Sequence, residues 1–337
     1  SRRWRGEAPA PGPGVIASQS EPATRAAPPP AFIPAPTSVP APAPAPAATS
    51  APAPAPPSVP APPFLPDAPR PIVVPPLRPA PGPAAYSEEE ILTLHPTAPR
   101  IVRLREVPGV FILLFPDLDS QGAALTRIAA LIEKRELPRD RVLDDEELAR
   151  AIAHSGATPA TYYYGHNYRG SDLLRFFALA RTAGVALNPG ELWLREQLES
   201  VVAMGLNPAG VAFLGIPGLD HRVDAAMRRA ILRHEIGHGH FFTNPDFAAH
   251  IRRVWRERLT PADRAALTEY LARAGYDPTQ EELMVNEAMA YLLFTPDPRF
   301  FLEGETGLAP GRIAQIRQLF LDSAPLLASQ NEKGELP

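Results

Sequence analysis

The sequence predicts an α+β fold: a mostly helical domain with a small sheet, preceded by a disordered Pro/Ala-rich segment. Three observations lead there. Proline divides the chain, with 30 of its 45 prolines in residues 1–99. Two short runs rich in Val, Ile and Phe, IVRLREVPGVFILLF and GVAFLGIPG, have the length and the flanking breakers of strands. Most of the remainder carries apolar residues at three- and four-residue spacing, the period of amphipathic helices. The expected organisation is a Pro/Ala-rich linker over 1–99, an α/β N-terminal lobe over 100–200 and a helical region over 201–337.

The linker contains APAPAPAATSAPAPAPPSVPAPP. Proline fixes φ and removes a backbone donor, so this stretch is expected to sample extended polyproline II as a semi-rigid tether. Two short strands then flank Pro108-Gly109. Asp117 or Asp119 caps a helix with Leu125, Ile128, Ala129 and Ile132 on one side. DDEELARAIAHSG places acids at a helix N-terminus, where they suit the dipole, and ends at Gly156. After the aromatic stretch TYYYGHNYRG, Ser171 or Asp172 opens one helix and Asn188-Pro189 the next. GVAFLGIPG, bounded by glycines and Pro217, reads as a further strand.

Next comes RVDAAMRRAILRHEIGHGHFF. Val223, Met227, Ala230, Ile231, His234 and His238 form one stripe of a helix, while Arg222, Arg228, Arg229 and Arg233 fall largely away from it. The two histidines therefore continue the inward face, and buried imidazoles need partners. His234, Glu235 and His238 spell H-E-x-x-H. Residues i and i+4 lie one turn apart on one helix face, so both imidazoles can meet one Zn²⁺. Glu235 stands beside the first ligand, where it can act as general base on a water at the metal. Gly237 is expected to admit another backbone, and Gly239 to help end the helix.

A catalytic zinc takes three protein ligands and keeps one position open. The metzincin pattern fails, since Phe241 and Asn244 stand where it needs Gly and His. In EELMVNEAMAYLLF, Leu283, Asn286, Glu287, Ala290, Tyr291 and Phe294 share a helical face. A glutamate within an apolar face needs a cation. Glu281, Glu282 and Asp246 are alternative ligands.

With these motifs the chain, over roughly residues 205–300, resembles the zincin metallopeptidases, and within them the glutamate-liganded gluzincins. NEAMAYL is similar to the motif around their Glu ligand, although Tyr291 stands where an acidic residue follows that ligand by four positions. The resemblance implies one Zn²⁺ per chain held by His234, His238 and Glu287, and a substrate-binding edge strand at residues 211–216. It implies a zinc-dependent hydrolase of peptide (amide) bonds, with Glu235 as base. Tyr291 is the candidate oxyanion donor, in competition with Tyr270, Tyr276, His240 and His250.

The remaining features set the context. YYYGHNY, residues 162–168, suits a binding wall for peptide or glycan, but packing is favoured. His250 is expected at the surface, and His95, His154 and His221 receive no role. A net charge of −4 offers no nucleic-acid footprint. The absence of cysteine removes disulfides and thiolate ligands, and no apolar run is long enough to span a membrane. The Pro/Ala tether resembles those of bacterial envelope proteins. The expected setting is thus periplasmic or secreted, without excluding the cytoplasm. The expected partners are a peptide or protein substrate and a cell-envelope component reached through the tether. The alternative is a non-catalytic envelope or interaction protein with a structural metal. Another amide, such as one in a cell wall, is a third substrate option.

Overall fold

The computed structural model describes residues 82–132, 137–160, 162–274, 276–295 and 297–325. The linker up to residue 81, and its expected disorder, lie outside the described residues. Within them the class is α+β, mostly helical with a five-stranded mixed sheet.

The fold begins before Arg100, earlier than the sequence suggested. Strand β1 (Ala85–Tyr86) and helix α1 (Glu88–Thr93) belong to it. Ser87 caps α1 in a reciprocal box with Glu90, and Ile91 is fully buried. Strands β2 (Arg100–Leu104) and β3 (Val110–Leu114) pair antiparallel on either side of Gly109, whose φ of +90° suits glycine. Helix α2 (Leu118–Ile132) follows, with Asp117 Oδ1 accepting from Ser120 N. Helix α3 (Asp145–His154) starts with a capping box, Asp144 with Glu147.

Strand β4 (His166–Arg169) emerges from the aromatic stretch, where no strand was foreseen. Helix α4 (Gly170–Ala183) ends at Gly184 in the left-handed region, and helix α5 (Pro189–Ala203) starts with Asn188 as cap and Pro189 as its first residue. Then come β5 (Ala212–Ile216), α6 (Ala225–Thr243), α7 (Pro245–Arg253), α8 (Pro261–Arg273), α9 (Glu281–Met289) and α10 (Arg312–Leu321).

The sheet runs β1-β2-β3-β5-β4. β3 and β5 pair in parallel, and every residue of both is buried. Their near-continuous apolar character is that of strands covered on both faces. Alternation divides their side chains. Val110, Ile112 and Leu114 join Leu214 and Ile216 in a core with α6, α7 and α9. Phe111, Leu113 and Phe115 join Phe213 and Tyr168 in a core with α2, α4 and α5. Inside that layer a buried ion pair, Arg127 Nε to Glu191 Oε1 at 2.7 Å, ties α2 to α5.

This topology corrects three expectations. β5 is an interior strand, because β4 pairs antiparallel along its free side; the edge strand next to α6 is β4. The boundary expected at residue 200 cuts through one sheet, and residues on both sides of it belong to one compact unit. Gly239 does not end α6, which continues to Thr243. A Cβ at Gly239 would press on Val110 and Leu214, so this glycine lets the helix lie close on the sheet.

Two further corrections concern polar residues. Arg228 is buried rather than solvated; its guanidinium donates to the carbonyls of Pro217, Leu92 and Leu94. His250 is also buried, with its Nε2 donating to Phe320 O at 2.9 Å and its Nδ1 accepting from Arg253. In both cases backbone acceptors from distant segments satisfy the side chain.

Candidate metal centre

Helix α6 follows β5 directly, and its N-cap Asp224 accepts from Met227 N at 2.7 Å. The helix lays its apolar stripe on the sheet. His234, Glu235 and His238 lie on the buried part and have no exposed surface. α9 packs against α6 and brings Glu287, also without exposed surface.

The three ligand candidates converge. His234 Nε2 and His238 Nε2 are 3.1 Å apart. Glu287 Oε2 is 3.7 Å from His234 Nε2, and its Oε1 is 3.6 Å from His238 Nε2. Ligand atoms of all three residues lie within 4.8 Å of one another, and among the described residues no other such group occurs. Two nitrogens each about 2.05 Å from one Zn²⁺ stand about 3.3 Å apart in a tetrahedral arrangement. The donor set therefore fits a small divalent cation, and the buried cluster of like-polarity atoms is what such a cation relieves.

Each member has a neighbour that the motif did not name. Thr295 Oγ1 lies 2.8 Å from His234 Nδ1 and donates to Ala290 O at 2.9 Å. The Asn286 amide stands beside His238. The Tyr276 hydroxyl lies near the Glu287 carboxylate, whose charge acts on it, and 3.2 Å from the Tyr291 hydroxyl. Asn167 Nδ2, from β4, donates to Glu235 Oε2 at 3.0 Å. On the other side of that carboxylate is Gly165, where any Cβ would overlap Glu235 Oε1. Such outer contacts orient ligands and fix their tautomers.

Burial governs the protonation of the group. It holds His234 well below the usual imidazole range, with the charge of His238 adding to the effect. It lowers His238 to about 4, opposed by the Asn286 amide. It lifts Glu235 to about 8, opposed by the Asn167 hydrogen bond. Tyr276 is pushed well above the usual phenol range by burial and then by the charge of Glu287. Neutral imidazoles are the form in which histidine binds metals.

Tyr291 lies on a π-helical turn, Ala290–Phe294, that continues α9. Its ring meets that of His234 edge-on, with centroids 4.7 Å apart. The other candidates lie elsewhere. Glu281 pairs with Arg256, Glu282 pairs with Arg252, and Asp246 is exposed. His240 packs between Phe247 and Phe294. Gly237 meets the Phe294 ring rather than another backbone. Tyr270 Oη accepts from Leu302 N at 3.3 Å.

Asn167 and Thr295 were missed. Asn167 is hidden in YYYGHNY, where strand alternation turns it away from His166 and Tyr168. Thr295 reaches the site only because a π-helical turn precedes it. No local pattern signals that turn.

A cleft lined by Leu92, Leu219, Ala226, Ala230 and Arg233 lies along the N-terminal half of α6 and includes none of the cluster. No helix among the described residues is long and apolar enough to cross a membrane. Comparison of the chain with family models, with curated proteins and with solved structures finds no match.

Proposed function

We propose that the chain is a zinc-dependent hydrolase of peptide (amide) bonds with a zincin-like active site. One observation carries this: His234 Nε2, His238 Nε2 and the Glu287 carboxylate converge, with the buried carboxylate of Glu235 on the same helix beside them. A bound Zn²⁺ would supply Lewis acidity to the scissile carbonyl and to water. The protein's own groups do the rest. Glu235, steadied through Oε2 by Asn167, takes the proton from water and returns it to the leaving amine nitrogen. Tyr291 is the proposed donor to the developing oxyanion, with Tyr276 competing from 3.2 Å away. In this proposal the substrate is a peptide or protein, the setting is periplasmic or extracellular, and the Pro/Ala segment is a tether towards the envelope.

One observation favours a second reading, a structural metal in a non-catalytic protein: His234, His238 and Glu287 are wholly buried. Structural zinc sites are closed by four protein ligands, whereas the described residues contribute three. A buried glutamate beside the cluster also has no purpose in a structural site.

The test is metal analysis of the purified chain, then peptide-library cleavage by the parent and by Glu235→Gln. The expected result is one zinc per chain in both, and cleavage reduced by about 10²–10⁴-fold in the variant. A parent that takes up no zinc after reconstitution defeats both readings. Zinc uptake with no cleavage by the parent selects the structural one.

A further inference from the structure

The contact between Thr295 and His234 determines where one proton sits. A threonine hydroxyl has a single hydrogen. Thr295 sits just after the π-helical turn, and its Oγ1 donates back to the carbonyl of Ala290, five residues earlier, at 2.9 Å. That hydrogen is therefore committed. Towards His234 Nδ1, at 2.8 Å, the same oxygen can only accept. The Nδ1 atom must then carry the hydrogen, and the lone pair of the neutral ring lies on Nε2, the atom that faces His238 and Glu287.

We propose that Thr295 is a positioning residue: it holds His234 in the Nδ1–H tautomer and so presents the Nε2 lone pair to an incoming divalent cation. The proposal deepens the metal-centre reading above and rests on it for its purpose, though not for its geometry. Asn286 imposes no such choice on His238, because an amide can turn either its oxygen or its NH₂ towards a ring nitrogen. His234 is thus preset and His238 is adaptable.

Thr295 also differs from the acidic residue that the gluzincin resemblance would place four positions after the glutamate ligand, where this chain has Tyr291. An uncharged oxygen orients the ring without adding a negative charge. The hydrogen-bond contacts to His234 Nδ1 and to Glu235 Oε2 come from Thr295 and Asn167, both uncharged.

The experiment is ¹⁵N NMR of the histidine side chains in the metal-free full chain, for the parent, Thr295→Ser and Thr295→Val. His234 is expected as Nδ1–H in the parent and in the serine variant, and as a tautomer mixture in the isosteric valine variant. Zinc affinity, measured by competition with a chelator, is expected to fall about 10–100-fold in Thr295→Val and to be recovered in Thr295→Ser. A parent His234 in the Nε2–H form overturns the proposal, as does a folded Thr295→Val with unchanged tautomer and affinity. If the valine variant does not fold, the parent and serine spectra still decide. An Nδ1–H His234 in a chain that takes up no zinc upholds the tautomer assignment and removes the metal reading instead.

Discussion

Gly165 leaves no room for a side chain. A Cβ there would overlap Glu235 Oε1 and come within 2.9 Å of its Cδ and 3.0 Å of Ile231 Cγ2. A carboxylate at the end of a flexible chain can usually step aside. Glu235 is fully buried and held from the far side by Asn167, so here it cannot do so freely. Gly165→Ala should push the carboxylate off Asn167 and cost about 1–3 kcal/mol in urea unfolding. Under the proposed hydrolase reading, cleavage should fall while zinc content stays at the parental value, because none of the three candidate ligands is touched. Loss of zinc together with activity would mean that Gly165 supports the ligands instead. At this scale the sequence was most informative where the chemistry is local. His234, Glu235 and His238 are legible because one turn of helix sets their spacing. Glu287 is legible because a carboxylate on an apolar face demands a partner. Asn167, Tyr276 and Thr295 are recruited across the fold, and no spacing rule connects them to the motif.

The start of α8 shows how an element acquires sensitivity to acid. Thr260 caps the helix, and the Asp263 carboxylate accepts in return from the Thr260 backbone N–H. Arg312 at the start of α10 reaches the same carboxylate, at 2.7 Å. The Arg312 hydrogen bond, with the contacts from Thr260, lowers Asp263 to about 2 despite the opposing effect of burial. A carboxylate whose pKa is depressed by folding contributes its full stability above the unfolded value of about 4, and loses it as pH falls towards 2. The parent should therefore lose stability more steeply between pH 4 and pH 2 than Asp263→Asn does. Urea unfolding across that range checks this, and parallel curves would show that Asp263 is not coupled to folding. Helices α3 and α5 could be read ahead because their caps are written in the sequence, Asp144 with Glu147 and Asn188 with Pro189. Strand β4 could not. It has only four residues, and its aromatic neighbours mask its alternation. The apolar run of β5 announces a strand but not its place in the sheet order, which depends on pairing with residues far away in the chain.

At the scale of the whole molecule, the folded region includes β1 and α1, ahead of Arg100. β1 extends the sheet beyond β2, and α1 contributes Ile91 to the core beside α6. The carbonyls of Leu92 and Leu94 accept two of the bonds that satisfy buried Arg228. A chain beginning at Arg100 would strand that guanidinium, at about 1–3 kcal/mol for each lost partner. It should melt at a clearly lower temperature than a chain beginning at Gly82. Equal midpoints would mean that β1 and α1 are accessories to the fold. The proline count concealed this extension, because Pro83, Pro96 and Pro99 continue the composition of the linker into the folded region.

The parallel pairing of β3 with β5 also has a consequence for biosynthesis. Val110 meets Ala212, and everything between them must be translated before the two strands can join. At ordinary elongation rates, roughly 5–20 s pass with the apolar flank of β3 exposed on the nascent chain. The residues that cover it belong to β5, and the histidines of α6 leave the ribosome only after that strand. β5 therefore emerges before the candidate ligands of α6 and α9, and a cation held by them would arrive too late to guide the pairing of β3 with β5.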